Sequence, residues 1–258
     1  MLRYEVPRAN VLGVGVSAIN MAQALSLFES WLGNGGKGYV CVTGVHGVME
    51  AQKDPNFRRI LNDSLLTTPD GMPTVWVGKL QGFKKMDRVF GPDLMYEVCR
   101  LSVDNGYSHF FYGGRPGVAD QLKAVMTNRF PLLKIVGAWT PPFGPLRRQE
   151  EDRLLELVVE KKPDIIWVGL STPKQERFMA EYSHKIPSKL MVGVGAAFDL
   201  HAGLMKDAPD WVKRAGLQWL HRLIQDPGRL WKRYLVNNPK FLWKISLQLT
   251  HLSKYSLD

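Results

Sequence analysis

The chain predicts an α/β fold with a Rossmann-like, mostly parallel sheet flanked by helices. Between residues 108 and 194, short apolar runs alternate with longer amphipathic stretches, which is typical of strand–helix–strand units and a parallel sheet. Turns rich in glycine and small polar residues follow the apolar runs. After Asp199 this alternation stops, and a basic stretch with helical spacing begins. We therefore predict two domains, a Rossmann-like domain over residues 1–206 and a helical appendage over residues 207–258.

The amino-terminal elements are predicted from hydrophobic spacing and a cap residue. The apolar run at residues 11–16 predicts a first strand. Ser17 can cap a helix that runs from about Ile19 to Leu32, with apolar side chains on one face. Residues 39–43 predict a second buried strand, which ends at Thr43.

The later elements of the first domain alternate regularly. The predicted strands cover residues 109–112, 134–138, 164–169 and 189–194. The predicted helices cover residues 92–105, 116–129, 146–161 and 172–182. In the appendage, Pro227 and Pro239 separate short helices, and the last helix is predicted over residues 241–252.

Gly13 and Gly15 invite comparison with the dinucleotide-binding fingerprint. That fingerprint needs a third glycine at a set offset, and none follows here. The sequence therefore disfavours an NAD(P)-dependent oxidoreductase.

Composition indicates an ordinary globular protein. The chain has 258 residues, of which 45% are hydrophobic and 22% are charged, enough for a large core. Cys41 and Cys99 lie in apolar contexts without metal-binding spacing, as expected of buried thiols in a reducing compartment. We expect no signal peptide, and no apolar run approaches the ~20 residues of a spanning helix. A location in the cytoplasm or on a membrane surface follows as an expectation.

The positive charge is concentrated near the carboxyl terminus. The net charge is +10, and residues 211–244 hold eight basic residues, one acidic residue and four of the eight tryptophans. The basic residues are Lys213, Arg214, Arg222, Arg229, Lys232, Arg233, Lys240 and Lys244. Basic residues interleaved with tryptophan suit a nucleic acid, a phosphorylated substrate or an anionic membrane surface.

Asp70 lies on a predicted tight turn. It follows a short apolar run and Pro69, and it precedes Gly71 and a helical stretch. Ligands of open α/β sheets bind at the carboxyl ends of the strands, where a carboxylate can act as a general base. The alternative is that Asp70 only caps the following helix.

Further turns at the same predicted edge suggest a nucleotide-sized cleft. They contain Gly113 and Gly114, the pair Lys174 and Gln175, and Asp199. Glycine turns and helix amino termini let phosphate approach the backbone, although short loops also use glycine for geometry alone. Arg88 precedes another helix and, taken alone, is most simply a surface arginine.

Six motifs, in order and at family spacing, resemble the WecG/TagA/CpsF glycosyltransferases. The resemblance runs over residues 11–234, and its motifs are residues 68–73 (TPDGMP), 88–94 (RVFGPDL), 111–114 (FYGG), 172–176 (TPKQE), 193–199 (GVGAAFD) and 214–223 (RAGLQWLHRL). It implies an inverting glycosyltransferase that needs neither metal nor cofactor. The implied donor is a nucleotide-diphosphate sugar, with UDP-sugars expected. The implied acceptor is a polyprenyl-diphosphate-linked saccharide at the inner face of the cytoplasmic membrane, in the synthesis of cell-wall or exopolysaccharide polymers.

The resemblance also implies roles for individual residues. Asp70 would be the general base, and Thr43 an active-site hydroxyl beside it. Arg88 would help bind substrate, and Gln175 would contact the donor. The appendage would supply Arg222 and Arg229, whose positive charges would neutralise the diphosphate.

Two positions depart from the family pattern. Val45, followed by His46, occupies a position that is usually asparagine, and Lys232 stands where a further arginine is expected. Lysine keeps the charge but lacks the bidentate fork of arginine.

A non-enzymatic nucleotide- or nucleic-acid-binding protein is the alternative function. Because the basic charge lies beside leucine and tryptophan in helical spacing, a membrane interface is favoured over nucleic acid. A homo-oligomer is left open.

Overall fold

The computed structural model describes residues 6–257, which separate into two compact units. Within these residues, the first unit comprises residues 6–21, 42–90 and 207–257, and the second comprises Ala22–Cys41 and Gly91–Lys206. The second unit ends at Lys206, and residues 207–257 are grouped with residues 6–21 and 42–90. The division into domains 1–206 and 207–258 stays a prediction. Residues 1–5, where a signal peptide would begin, lie outside the described residues.

The strands form a two-stranded sheet and a six-stranded sheet of order β4-β3-β8-β7-β5-β6. Their bounds are β1 Arg8–Val11, β2 Val14–Ser17, β3 Gly38–Thr43, β4 Leu66–Pro69, β5 Ser108–Gly113, β6 Lys134–Trp139, β7 Ile165–Gly169 and β8 Leu190–Gly193. The pairs β3–β8, β8–β7, β7–β5 and β5–β6 are all parallel. The predicted mostly parallel α/β sheet is confirmed.

Helices alternate with these strands and then continue alone. Their bounds are α1 Met21–Gly33, α2 Val45–Ala51, α3 Pro55–Asp63, α4 Met72–Leu80, α5 Gly91–Asn105, α6 Val118–Arg129, α7 Arg148–Lys161, α8 Lys174–Tyr182, α9 Ala197–His201, α10 Asp210–Arg214, α11 Gln218–Gln225, α12 Pro227–Trp231 and α13 Asn237–Leu249. A π-helical turn, Lys232–Val236, joins the last two. Among residues 6–257, we find no helix whose length and apolar character would let it cross a bilayer.

The core of the second unit is built from the central strands. Strand β8 is buried along its whole length and β7 nearly so, because parallel strands between helices have two covered faces. Phe111 of β5 pairs in register with Trp167 of β7. Tyr112 stacks on Phe178 of α8 at a centroid distance of 4.5 Å. This packing holds the carboxyl ends of β5 and β7 side by side.

The first predicted strand, residues 11–16, is wrong. The chain forms the antiparallel hairpin β1–β2 there, and it turns at Leu12 and Gly13. Both turn residues have positive φ, 53° and 81°, as a tight hairpin turn requires. Ser17 does not cap α1. It ends β2, where its buried hydroxyl accepts a hydrogen bond from the Thr67 amide at 3.1 Å.

The end of the appendage packs against this hairpin within the first unit. Gln248 Oε1 accepts from the Leu12 amide, and Gln248 Nε2 donates to the Asn10 carbonyl, each at 2.8 Å. Asn10 Nδ2 in turn donates to the carbonyl of Tyr255 at 2.7 Å. These bonds explain why residues far apart in the chain share one unit. Pro239 does not separate two helices: it lies within α13, so the last helix begins earlier than predicted.

Candidate functional site

Asp70 lies directly after the buried strand β4, as predicted, and is itself half-buried. Its amide donates to the Thr43 carbonyl at 3.2 Å, so the ends of β3 and β4 are tied together. Asp70 does not cap α4: the N-cap is Gly71, whose carbonyl accepts from the Thr74 hydroxyl at 2.8 Å. Asp70 is therefore not the N-cap residue of α4, and the capping alternative is wrong.

Gly44 leaves room beside the Asp70 carboxylate. A methyl group at Gly44 would lie 3.7 Å from Oδ2 of Asp70, in van der Waals contact. A larger side chain there would crowd one face of the carboxylate. The glycine therefore leaves space next to Oδ2 of Asp70.

Thr43 carries a buried polar atom that other described residues leave unbonded. The residue is 2% exposed, and its Oγ1 has no hydrogen-bond partner within residues 6–257. Buried hydroxyls are nearly always bonded to protein, water or ligand. The hydroxyl and the Asp70 turn belong to the same unit, and the pair can present a donor and a base to one substrate.

Arg88 and Arg222 converge on the buried ring of Phe90. The guanidinium carbons lie 4.6 Å and 5.6 Å from the ring centroid, respectively. Arg88 also donates to Oε1 of Gln218 in α11 at 3.0 Å. Its loop is held to β4 because the Val89 amide donates to the Pro69 carbonyl at 2.9 Å. The first unit therefore gathers two half-buried cations near the strand that leads to Asp70.

Arg229 is exposed and forms a local ion pair. Its Nε donates to Asp226 Oδ2 at 2.6 Å, three residues earlier, where Asp226 also caps α12. Arg233 lies four residues after Arg229 in the π-helical turn. Burial lowers the pKa of the Arg233 guanidinium, and the positive charges of Arg222 and Arg229 lower it further, whereas Tyr234 and Asp70 raise it. The pKa of Arg233 is therefore affected by Asp70, the predicted base, and by Arg222 and Arg229, the predicted basic groups.

Val45 and His46, which depart from the family pattern, begin α2 in the same unit. Both are half-buried. Nδ1 of His46 lies 3.4 Å from Nδ2 of Asn237, at the start of α13. The imidazole of His46 therefore follows Thr43 by three residues and Gly44 by two.

The second unit contains the glycine turns. Gly113 ends β5 with φ 115°, and a methyl group there would lie 2.8 Å from the carbonyl carbon of Gly169. The Gly114 amide donates to the Gly169 carbonyl at 2.9 Å. Only glycine allows this close approach of two backbones, so the carboxyl ends of β5 and β7 form a narrow, backbone-lined turn.

Gln175 is buried at the second position of α8, and one of its acceptors has no hydrogen-bond partner among the described residues. It is 2% exposed, and its Nε2 donates to Glu176 Oε1 at 3.1 Å. Gln175 Oε1 has no hydrogen-bond partner in the described part of the chain. A methyl group at Gly195 would lie 3.2 Å from that oxygen, so the glycine after β8 makes space for it.

The other two predicted ligands of this unit are more exposed. Lys174 is exposed, and its Nζ lies 4.9 Å from the ring centroid of Phe143. Asp199 is half-buried at the start of α9, and its carboxylate pairs with Arg115 at 3.2 Å. The predicted residues are thus divided: Gly113, Gly114, Lys174, Gln175 and Asp199 lie in the second unit, and Thr43, Asp70, Arg88, Arg222 and Arg229 lie in the first.

The described residues hold no group of three or more His, Cys, Asp or Glu side chains arranged to bind a metal ion. The cationic groups around the Asp70 turn are guanidinium groups. Guanidinium groups can neutralise phosphate oxygens directly, by bidentate hydrogen bonds.

A family model decides what kind of protein has this arrangement. The model of the glycosyl transferase WecG/TagA/CpsF family matches residues 9–255. The chain belongs to this family and is a glycosyltransferase. This membership decides against the non-enzymatic binding protein considered above.

Two bacterial relatives match over most of their length. The protein from Bacillus subtilis (strain 168) is 30% identical over 179 residues, which are 69% of this chain and 68% of the relative. The protein from Bacillus spizizenii (strain ATCC 23059 / NRRL B-14472 / W23) is 31% identical over 180 residues, 70% of this chain and 68% of the relative. Both are named N-acetylglucosaminyldiphosphoundecaprenol N-acetyl-beta-D-mannosaminyltransferase.

Sequence reasoning missed Arg233 as a member of this cluster. The motif spacing pointed to Lys232, and the two adjacent basic residues cannot be told apart by charge. The available signal was the spacing of four residues from Arg229, which puts two helical side chains on one face.

Proposed function

We propose that this glycosyltransferase moves a sugar from a nucleoside diphosphate donor to a saccharide linked to polyprenyl diphosphate, with inversion at the anomeric carbon. One observation carries the proposal: the amide of Asp70 is hydrogen-bonded to the carbonyl of Thr43, whose buried Oγ1 has no hydrogen-bond partner among residues 6–257, in the unit that also holds the arginine cluster. The names of the two relatives support the acceptor class.

The proposed reaction transfers one proton to a base and releases one leaving group. Asp70 takes the proton of the acceptor hydroxyl as its oxygen bonds to the anomeric carbon. The bond from that carbon to the diphosphate oxygen breaks, and the nucleoside diphosphate leaves with the electron pair. Positive charge from Arg88, Arg222 and Arg229 stabilises the negative charge that develops on the leaving group.

The turns of the second unit have the chemistry to bind the nucleotide part of the donor. Gly113 and Gly114 bring backbone close to a ligand, and Gln175 offers a buried carbonyl oxygen for a hydrogen bond. Lys174 supplies a cation for phosphate. We expect an N-acetylhexosamine donor attached to UDP, in line with the transferase names of the relatives.

The appendage is suited to a membrane surface. Apolar side chains of its helices are exposed, including Trp211 and Trp243, each at 69%, and Ile224 at 73%. Helix α11 has no fully buried residue, and basic residues flank these apolar groups. Such helices bind at the lipid interface by apolar burial and by attraction to anionic lipids. We place the enzyme peripherally on the inner face of the cytoplasmic membrane.

The experiment is a transfer assay with defined substrates. Purified full-length protein is incubated with a panel of UDP-sugars and a short-chain lipid-diphosphate N-acetylglucosamine acceptor, and released UDP and the disaccharide product are measured. We expect acceptor-dependent UDP release with one N-acetylhexosamine donor, and a product of inverted anomeric configuration. Transfer to an acceptor without the diphosphate, or retention of configuration, would contradict the proposal.

A further inference from the structure

Arg233 holds a buried cationic atom that other described residues leave unbonded. Its Nε is fully enclosed and has no hydrogen-bond partner among residues 6–257, although the residue as a whole is half-buried. Burying part of a guanidinium without a partner is unfavourable, because the atom loses its water and gains no protein bond. Such an arrangement is retained where something else supplies the missing acceptor.

The surroundings of Arg233 carry surplus positive charge. Arg222 and Arg229 repel it, and the only carboxylate that acts on it among its resolved interactions is Asp70. The phenol of Tyr234 is next to it in the chain, with its ring centroid 5.9 Å from the guanidinium carbon. Arg229 is already paired with Asp226. Three guanidinium groups outnumber the carboxylates of Asp70 and Asp226, and this surplus of positive charge favours a bound anion.

The backbone at this point is unusual. Arg233 lies in the π-helical turn between α12 and α13. π-Helical turns are rare and are frequently found at functional sites. The turn also lets Arg233 follow Arg229 on one side of the helical segment.

The side chain of Lys232 has different surroundings from that of Arg233. It is exposed, and its Nζ lies 5.4 Å from the ring centroid of Trp231. A cation on an exposed tryptophan suits the outer surface of the appendage. The adjacent positions 232 and 233 thus have separate surroundings.

We infer that Arg233 is a binding residue for the diphosphate of the substrate, acting with Arg222 and Arg229, and that Lys232 is not. This inference rests on the proposed function. The diphosphate supplies the acceptor that Nε lacks, and its oxygens match the planar donor fork of arginine better than they match an ammonium group. The negative charge of the ligand also cancels the mutual repulsion of the three arginines.

The test measures binding of inorganic pyrophosphate by calorimetry, together with the melting temperature of the ligand-free protein. Arg233→Gln should weaken pyrophosphate binding about 10- to 100-fold, as expected for loss of a hydrogen bond between charged groups. Lys232→Gln and the matched control Lys240→Gln should each change binding by less than about fivefold, because they remove exposed charges. The ligand-free Arg233→Gln protein should melt no lower than wild type, because a poorly compensated cation has been removed.

A purely structural arginine would behave in the opposite way, with a lowered melting temperature and unchanged pyrophosphate affinity. That result, or a larger loss in Lys232→Gln than in Arg233→Gln, would overturn the inference. If Arg233→Gln melts lower, Arg233→Lys replaces it: weaker binding in that folded variant supports the inference, and affinity equal to wild type refutes it. Because pyrophosphate binding needs no sugar transfer, failure here is distinguishable from failure of the proposed function.

Discussion

At the scale of single residues, two buried polar atoms have no hydrogen-bond partner in the described chain. They are Oε1 of Gln175, at the start of α8, and Oγ1 of Thr43, the last residue of β3. Folding rarely leaves such atoms unbonded, so both are consistent with ligand contact. Asp70, which follows the end of β4, is the residue with the chemistry of a base.

Replacing Asp70 with asparagine tests its role as the base. Asp70→Asn should lower the turnover number by ~10²–10⁴, the usual contribution of general base catalysis, because the amide cannot accept the proton. The fold and donor binding should persist, since asparagine has nearly the same shape. Steady-state transfer rates and donor affinity are measured beside Asp63→Asn, an exposed aspartate on α3. Turnover of Asp70→Asn within a few-fold of that control would remove Asp70 from the role.

His109 predicts a pH dependence of stability that has no connection with catalysis. It is fully buried in β5, and its Nδ1 accepts from Nε1 of Trp167 at 2.9 Å. Burial lowers its pKa from 6.5 to about 3, with a small opposing effect from Asp164. The unfolded chain therefore binds a proton at a higher pH than the folded chain does.

The stabilising contribution of neutral His109 is fully present above pH ~6.5 and is lost as the pH falls toward about 3. The loss should approach about 1.4 kcal/mol per pH unit in the free energy of unfolding. Urea unfolding at pH 7.5 and pH 5 measures it, with His109→Gln as a variant that can still accept from Trp167 but does not titrate. Equal pH slopes in both proteins would show that His109 does not contribute.

At the scale of secondary-structure elements, the appendage combines two kinds of surface. Its last helix, α13, buries Phe241 and Ile245 within the first unit. Trp211, Ile224 and Trp243 remain exposed on other faces. The buried face packs within the first unit, and the exposed apolar side chains are left for another surface.

Removing exposed apolar groups from the appendage should weaken membrane binding without changing the chemistry. Ile224→Ser combined with Trp243→Ser should reduce partitioning onto anionic vesicles by at least about tenfold, because two large side chains no longer bury apolar area in the interface. Vesicle co-sedimentation measures the effect, and Leu132→Ser, a leucine 77% exposed in the second unit, is the matched control. Transfer to a soluble short-chain acceptor should stay near the wild-type rate. Unchanged partitioning of the double variant would mean that these helices face something other than lipid.

At the scale of the whole molecule, we predict that positive side-chain charge takes the place that a metal ion has in many sugar transferases. The chain carries a net charge of +10, and its basic surplus is largest in the appendage. Arginines can stabilise a leaving diphosphate electrostatically, as a divalent cation would. The expected consequence is a property of the complete enzyme, the dependence of its transfer rate on metal ions.

Sugar transfer should therefore survive metal removal. We expect protein dialysed against EDTA to keep its transfer rate in metal-free buffer, and added Mg²⁺ or Mn²⁺ to raise it by less than about twofold. Raising the salt concentration should lower diphosphate affinity instead, because ions screen the arginines. Activity that disappears with EDTA and returns with Mn²⁺ would show that a metal supplies the charge.

The sequence by itself determined the alternation of strands and helices, the position of Asp70 at a strand end and the family. These features depend on local information: apolar runs, turn residues and motif spacing act over a few neighbouring residues. The prediction from sequence was wrong at residues 11–16. An apolar run that contains glycines does not show whether the chain continues as one strand or reverses its direction in a hairpin. Only the tertiary structure revealed the hairpin, whose turn is supported by the distant Gln248.

The difference between Arg233 and Lys232 also depends on the packing of distant residues. Both are basic, adjacent and compatible with a helix, so one-dimensional spacing cannot rank them. The π-helical turn and the packing of the first unit enclose Nε of Arg233 and leave Lys232 exposed. Burial and the charges of distant residues depend on how the whole chain packs, and for that reason only the tertiary structure decided which of the two cations lies among Arg222, Arg229 and Asp70.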